Sequence, residues 1–113
     1  VEHARDWWAL FDTPPEARPL EPKACRGGNL SPAQAALCTS AKLWGVEDRR
    51  VRLNTRLGNQ FSDREEMASK HEAHEARWAK EREACVEDLK CIEASLRAEI
   101  HSMERFLQGR GAL

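Results

Sequence analysis

The chain has no tyrosine among its 113 residues and few aromatics of any kind, with four Trp and three Phe. It also lacks alternating runs of Val, Ile or Thr, the period-two pattern of a half-buried strand, so a β architecture is excluded as the basis of the fold. No apolar run approaches the roughly 20 residues that a bilayer-spanning helix needs, and the sequence reads as that of a soluble protein. A surplus of charge of one sign is missing too: 18 Lys and Arg face 19 Asp and Glu. That balance argues against general nucleic-acid or anionic-membrane binding, which calls for a basic excess. Val1 begins the chain with no basic, apolar, small-residue leader. The lack of one says nothing about export, because processing removes it.

Recognisable catalytic signatures are absent as well. There is neither a GxSxG nucleophile turn nor a GxxxxGK[ST] phosphate loop. His71-Glu72-Ala73-His74-Glu75 invites comparison with the zincin motif, but HExxH places its histidines at i and i+4 and these stand at i and i+3. A catalytic zinc would also need a third protein ligand that the sequence does not point to. The bland reading, two histidines on a helix-packing face, is preferred. The acidic pairs Glu65/Glu66 and Glu72/Glu75 read as solvated helix surface. No enzyme activity, metal or cofactor is expected.

What the chain does have is four cysteines, Cys25, Cys38, Cys85 and Cys91, an even set in a small domain that suggests disulfides in an oxidising compartment. A zinc site is the rival, but neither close pair has C-x2-4-C spacing. Of the three pairings, spacing favours the local one, Cys25 with Cys38 and Cys85 with Cys91. An unbroken helix would hold the α-carbons of the second pair about 9 Å apart, beyond the ~4.4 to 6.8 Å that a disulfide spans. A bond there therefore requires the helix to break and pins a helical hairpin.

Periodicity supplies the helices. Residues 1–23 read as an arm: Ala4 to Phe11, with Trp7, Trp8 and Phe11, favours a short aromatic helix, and Pro14, Pro15, Pro19 and Pro22 an extended linker. Gly27-Gly28-Asn29 is a turn. Ser31-Pro32-Ala33-Gln34 supplies an N-cap, a proline at the first helical position and a capping-box Gln for a short helix ending near Cys38. Ser40 caps the next helix, whose stripe is Leu43, Val46, Leu53, Leu57 and Phe61. Ser62-Asp63-Arg64-Glu65 reads as another capping box, opening a helix with Met67, His71, His74, Trp78 and Cys85 on one face. The last helix starts near Asp88 and carries Leu89, Ile92, Leu96, Ile100, Met103 and Leu107. Residues 109–113 are expected to fray. The predicted class is all-α, a small disulfide-stapled bundle of residues 24–108 with a helical hairpin and short N-terminal helices.

Together these landmarks resemble the LprI-like secreted proteins, a family named for a mycobacterial lysozyme inhibitor. Cys25, the capped helix Ser31 to Leu37, Cys38 and Asp48-Arg49-Arg50 carry the first half of the likeness. Arg77-Trp78, Arg82, Ala84-Cys85, Asp88, Cys91 and Ile100 carry the second, so that it spans about residues 24 to 107. Where the family often has tyrosines this chain has Thr55 and Leu96, and Glu99 stands where an Arg is expected. The resemblance implies a periplasmic or secreted helical protein, and in at least one relative an inhibitor of lysozyme.

The leading expectation is accordingly a protein that binds a lysozyme or other peptidoglycan-cleaving enzyme, as inhibitor or immunity protein, and occludes its cleft. Four groups of residues are nominated for contact, the first being the Gly27-Gly28-Asn29 turn. Arg49, Arg52 and Arg56 form a basic strip that either meets carboxylates of a partner or pairs with its own acids. The turn from Cys85 to Cys91 presents Glu87 and Asp88. The arm aromatics Trp7, Trp8 and Phe11 either dock on Trp44 or Trp78 or reach a partner or a second copy. The alternative function is a cell-envelope adaptor that uses this arm.

Overall fold

In the computed structural model, which describes residues 21–113, the lead-in is a single 3-10 turn, Lys23–Arg26. The expected arm, with Trp7, Trp8 and Phe11, lies outside the described residues. Helix α1, Pro32–Cys38, begins as its residues dictate. Ser31 Oγ accepts from the Gln34 amide at 3.1 Å while the Ser31 amide donates to Gln34 Oε1 at 3.1 Å, satisfying two amides that a helix start otherwise leaves open. Cys25 and Cys38 are bonded, with α-carbons 5.7 Å apart, so the lead-in turn is tied to the end of α1.

Helix α2 runs over Ala41–Gln60 and α3 over Glu65–Glu83. Two expected caps do not form. Ser40 precedes α2 but its hydroxyl makes no capping bond. Ser62 does not open α3, because the chain turns tightly behind the buried Phe61: the Arg64 amide donates to the Phe61 carbonyl at 2.9 Å, and Arg64 becomes the N-cap.

The break between α3 and α4, Leu89–Leu107, falls where the cysteine geometry requires it. Cys85 and Cys91 are bonded, with α-carbons 5.5 Å apart, and Asp88 caps α4 by accepting from the Lys90 and Cys91 amides at 3.0 and 3.1 Å. After α4, Gly109 takes φ +74°, and the Arg110 and Gly109 amides return to the Arg105 and Phe106 carbonyls, a glycine-dependent helix closure. Leu113 then packs back on the bundle.

Long-range contacts set the topology. Asn54 meets His71 and Arg50 meets Glu75, so α2 and α3 are antiparallel. Arg82 meets Glu99 and His74 meets Ser102, so α3 and α4 are antiparallel as well, leaving α2 and α4 side by side and parallel. The α2/α4 packing is the most extensive, and α1 lies across one end against all three long helices. The fold is all-α, with no strand among the described residues. None of the described helices is long and apolar enough to cross a membrane.

The core is in two pieces. Ala33, Leu37, Leu43, Cys85, Ile92 and Leu96 form one under α1, joined by Trp44 and Val46. Leu57, Phe61 and Met103 form the other at the far end, with Phe61 edge-on to Phe106 at 5.6 Å between ring centres. Between them the helices bring polar side chains inward.

Candidate functional site

That interior polar layer is built from three helices. Arg50 of α2 grips Glu47 with two donors, Nε to Oε1 at 2.7 Å and Nη2 to Oε2 at 3.0 Å, and extends Nη1 to Glu75 Oε1 of α3 at 2.6 Å. Arg82 of α3 donates Nη1 to Glu99 Oε1 of α4 at 2.6 Å. Both guanidinium side chains are only 12% exposed, and Glu99 is 0% exposed. Arg50 Nη1 also lies 3.5 Å from Glu99 Oε2, linking the two pairs into one network.

Burial and neighbouring charge set the protonation states. Burial works against the Arg50 charge, but Glu47, Glu75 and Glu99 outweigh it and raise its pKa, so the guanidinium stays charged. For Glu99, burial pushes the carboxyl up to about 7; Arg82 opposes the rise and Glu75 adds to it. His74, 1% exposed, is pulled below its ordinary value first by burial and then by Arg77. Its hydrogen bonds agree: Trp78 Nε1 donates to His74 Nε2 at 3.0 Å, and the Ser102 hydroxyl lies 3.1 Å from the same nitrogen. Nε2 is thus an acceptor, the state of a neutral imidazole.

A cavity of about 180 Å³ lies beside the network, between α1 and the long helices, and is lined by Gln34, Glu47, Arg50, Glu75, Arg82 and Glu83 among others. The Ser31 hydroxyl donates to Glu83 Oε2 at 2.7 Å at its edge, tying the start of α1 to the end of α3.

The second notable feature is the disulfide-closed tip between α3 and α4. Val86 adopts φ +56°, a left-handed conformation that a β-branched residue avoids, and it is 52% exposed. Leu89, just beyond, is 40% exposed. Beside them runs a shallow groove of about 320 Å³ lined by Pro32, Ala35, Ala36, Thr39, Glu87 and Leu89.

The nominated residues fall in different places. The cysteines pair as expected. The basic strip divides: Arg49 pairs with Glu104 of α4, Arg52 with Asp48 on its own helix at 2.9 Å, and Arg56 is exposed with no ion pair among the described residues. Glu87 is exposed at the tip, whereas the Asp88 carboxylate is engaged in capping α4. His71 bonds to Asn54 at 2.6 Å and His74 to Trp78, so the two imidazoles serve different partners. Among the described residues no three His, Cys, Asp or Glu side chains converge as a metal site would require. In the middle of α3 the fully buried residue is His74, with Trp78 half-buried beside it.

The polar layer itself was missed by the apolar stripes, although they leave a place for it. Val46 to Leu53 and Trp78 to Cys85 are gaps of seven, and Arg50 and Arg82 fill them at the three- and four-residue steps of a buried helix seam, whereas Glu99 stands beside Ile100 in a stripe without a gap.

Fold and interior together define the class: a small all-α domain closed by two local disulfides around a charged interior layer. Compared with known proteins, the chain matches no family model, no curated protein and no solved structure.

Proposed function

We propose that this protein is an exported binding module that occludes the active-site cleft of a lysozyme-type peptidoglycan hydrolase, as an inhibitor or an immunity protein, with the Cys85–Cys91 tip as its wedge. The observation that carries the reading is Val86. It is an apolar side chain held half-exposed in a strained backbone conformation, on a turn closed by a disulfide and by the Asp88 cap. Strain of this kind, about 1–3 kcal/mol, persists where surrounding structure fixes it, and it concentrates at ligand contacts. A turn already ordered before binding also loses less entropy when a partner closes on it.

Two further features support the reading. Both disulfides suit an oxidising compartment outside the cytoplasm. The resemblance to LprI-like proteins covers the tip itself, at Ala84-Cys85, Asp88 and Cys91. Arg49 and Arg52 are held by acids of this chain, so the apolar tip and its groove are favoured over the basic strip as the contact.

The test is a cell-wall turbidity assay with lysozyme and with muramidase toxins. The full chain is expected to slow lysis, and Val86→Asp or Leu89→Asp to abolish the effect while the helical circular dichroism is unchanged. Unaltered lysis at high molar excess, with no binding to either class of enzyme, would remove the proposal.

A further inference from the structure

A groove of about 610 Å³ runs between the lead-in turn and α2, and it shares no residue with the groove beside the tip. Pro22 and Ala24 line one side and Trp44 and Val51 of α2 the other. Both sides are fixed through Cys38. The Cys25–Cys38 bond ties the lead-in turn to it, and the Trp44 indole donates to its carbonyl at 3.2 Å. A groove held in this way needs little ordering when something fills it.

Most charges at its rim are answered within the chain. Arg50 grips Glu47, Arg52 holds Asp48 at 2.9 Å, and Arg26 lies 4.0 Å from Glu21. What the groove offers an occupant is therefore its apolar part, above all the half-buried Trp44 and Val51, which is 42% exposed. Of the exposed large apolar side chains among the described residues, Val86 and Leu89 belong to the tip, and Val51 is the third.

Glu21 and Pro22, where the described chain begins, are themselves part of the groove lining. Residues 1–20 therefore enter at its rim, and they hold Trp7, Trp8 and Phe11, two of the four Trp and one of the three Phe. Such side chains gain the most from burial. The stretch from Phe11 to Glu21 reaches at most about 33 Å when extended. So short a tether keeps the aromatics at an effective concentration in the millimolar range, an advantage that a free partner lacks.

We propose that this groove is the docking site of the chain's own arm, with Trp7, Trp8 and Phe11 seated against Trp44 and Val51. Docked, the arm covers the apolar wall of α2 and leaves the tip as the apolar surface open to a partner. The docking is independent of what the tip binds.

NMR on the intact, disulfide-bonded chain tests it. Nuclear Overhauser contacts are expected from the rings of Trp7, Trp8 or Phe11 to the Val51 methyls and the Trp44 indole, persisting on dilution and arising within one molecule in a mixture of labelled and unlabelled chain. Replacing Trp7, Trp8 and Phe11 together by Ala in the full chain should shift the Trp44 and Val51 signals, and a peptide of residues 1–20 at millimolar concentration should return them toward their wild-type positions. Val51→Asp should move the Trp7 and Trp8 indole signals to those of exposed indoles with the helical circular dichroism unchanged. Trp44 and Val51 signals unmoved by the triple substitution would overturn the proposal. So would contacts found only between copies, which would make a second copy the occupant. Should the triple variant fail to fold, the wild-type contacts decide alone. None of these readings involves the tip, so the lysis assay of Val86→Asp succeeds or fails separately.

Discussion

Arg82 Nη1 donates to Glu99 Oε1 at 2.6 Å, and Glu99 has no exposed surface at all. The two residues are 17 apart in sequence and on different helices, so this single bond joins α3 to α4 inside the bundle. A buried pair of this kind contributes little over a well-packed apolar pair, but removing one partner leaves an uncompensated charge.

Replacing Arg82 by Ala is therefore expected to destabilise the fold by about 3–5 kcal/mol at mildly alkaline pH. The loss should shrink in mild acid, where the Glu99 carboxyl, pushed up to about 7, is protonated and no longer needs the guanidinium. Urea unfolding of Arg82→Ala and wild type at both pH values checks this, and an equal loss at both would contradict it.

His74 gives the opposite slope with pH. Its neutral Nε2 accepts from Trp78, and its pKa lies below the ordinary 6.5, so the unfolded chain binds the proton more readily than the folded one. Stability from this group is full above 6.5 and is lost as pH falls from there through the lowered folded value. His74→Gln, which keeps an acceptor and cannot titrate, is expected to lose less stability than wild type on acidification across that window, measured by thermal unfolding.

At the tip, Val86 holds φ +56° against its preference. Val86→Asn relieves that strain, since Asn visits the left-handed region readily, and should stabilise the protein by about 1 kcal/mol. The same variant removes the apolar contact, so a higher melting temperature with weaker inhibition is the expected combination.

Removing the bond that closes the tip, with Cys85 and Cys91 both replaced by Ala, should cost about 2–3 kcal/mol for so short a loop. Amide exchange should rise first at residues 84–91, where Asp88 remains as the cap of α4. Protection unchanged there would show that the cap alone holds the turn.

Much of this fold is written locally. Ser31, Pro32 and Gln34 start α1, the stripe from Leu43 to Phe61 marks α2, and the short reach of a disulfide between Cys85 and Cys91 forces the helix break between α3 and α4. Each of these depends on residues within a few positions of one another, where helix pitch, capping and bond length act without reference to the rest of the chain. Ser62 marks the edge of that reach: its capping pattern is present, but burial of Phe61 sets a turn that starts α3 at Arg64 instead.

The charged interior belongs to the other kind. Arg50 and Arg82 stand in gaps of their apolar stripes and Glu99 stands beside Ile100, but nothing local says that these positions in three separate helices meet at one level. Only the registration of α2, α3 and α4, fixed by the two apolar clusters on either side, brings them together. The sequence alone determined which segments are helical and that a Cys85–Cys91 bond must break a helix; the tertiary structure alone decided that a carboxyl on one helix is buried against a guanidinium on the next, because that contact depends on how the helices stack rather than on how each one forms.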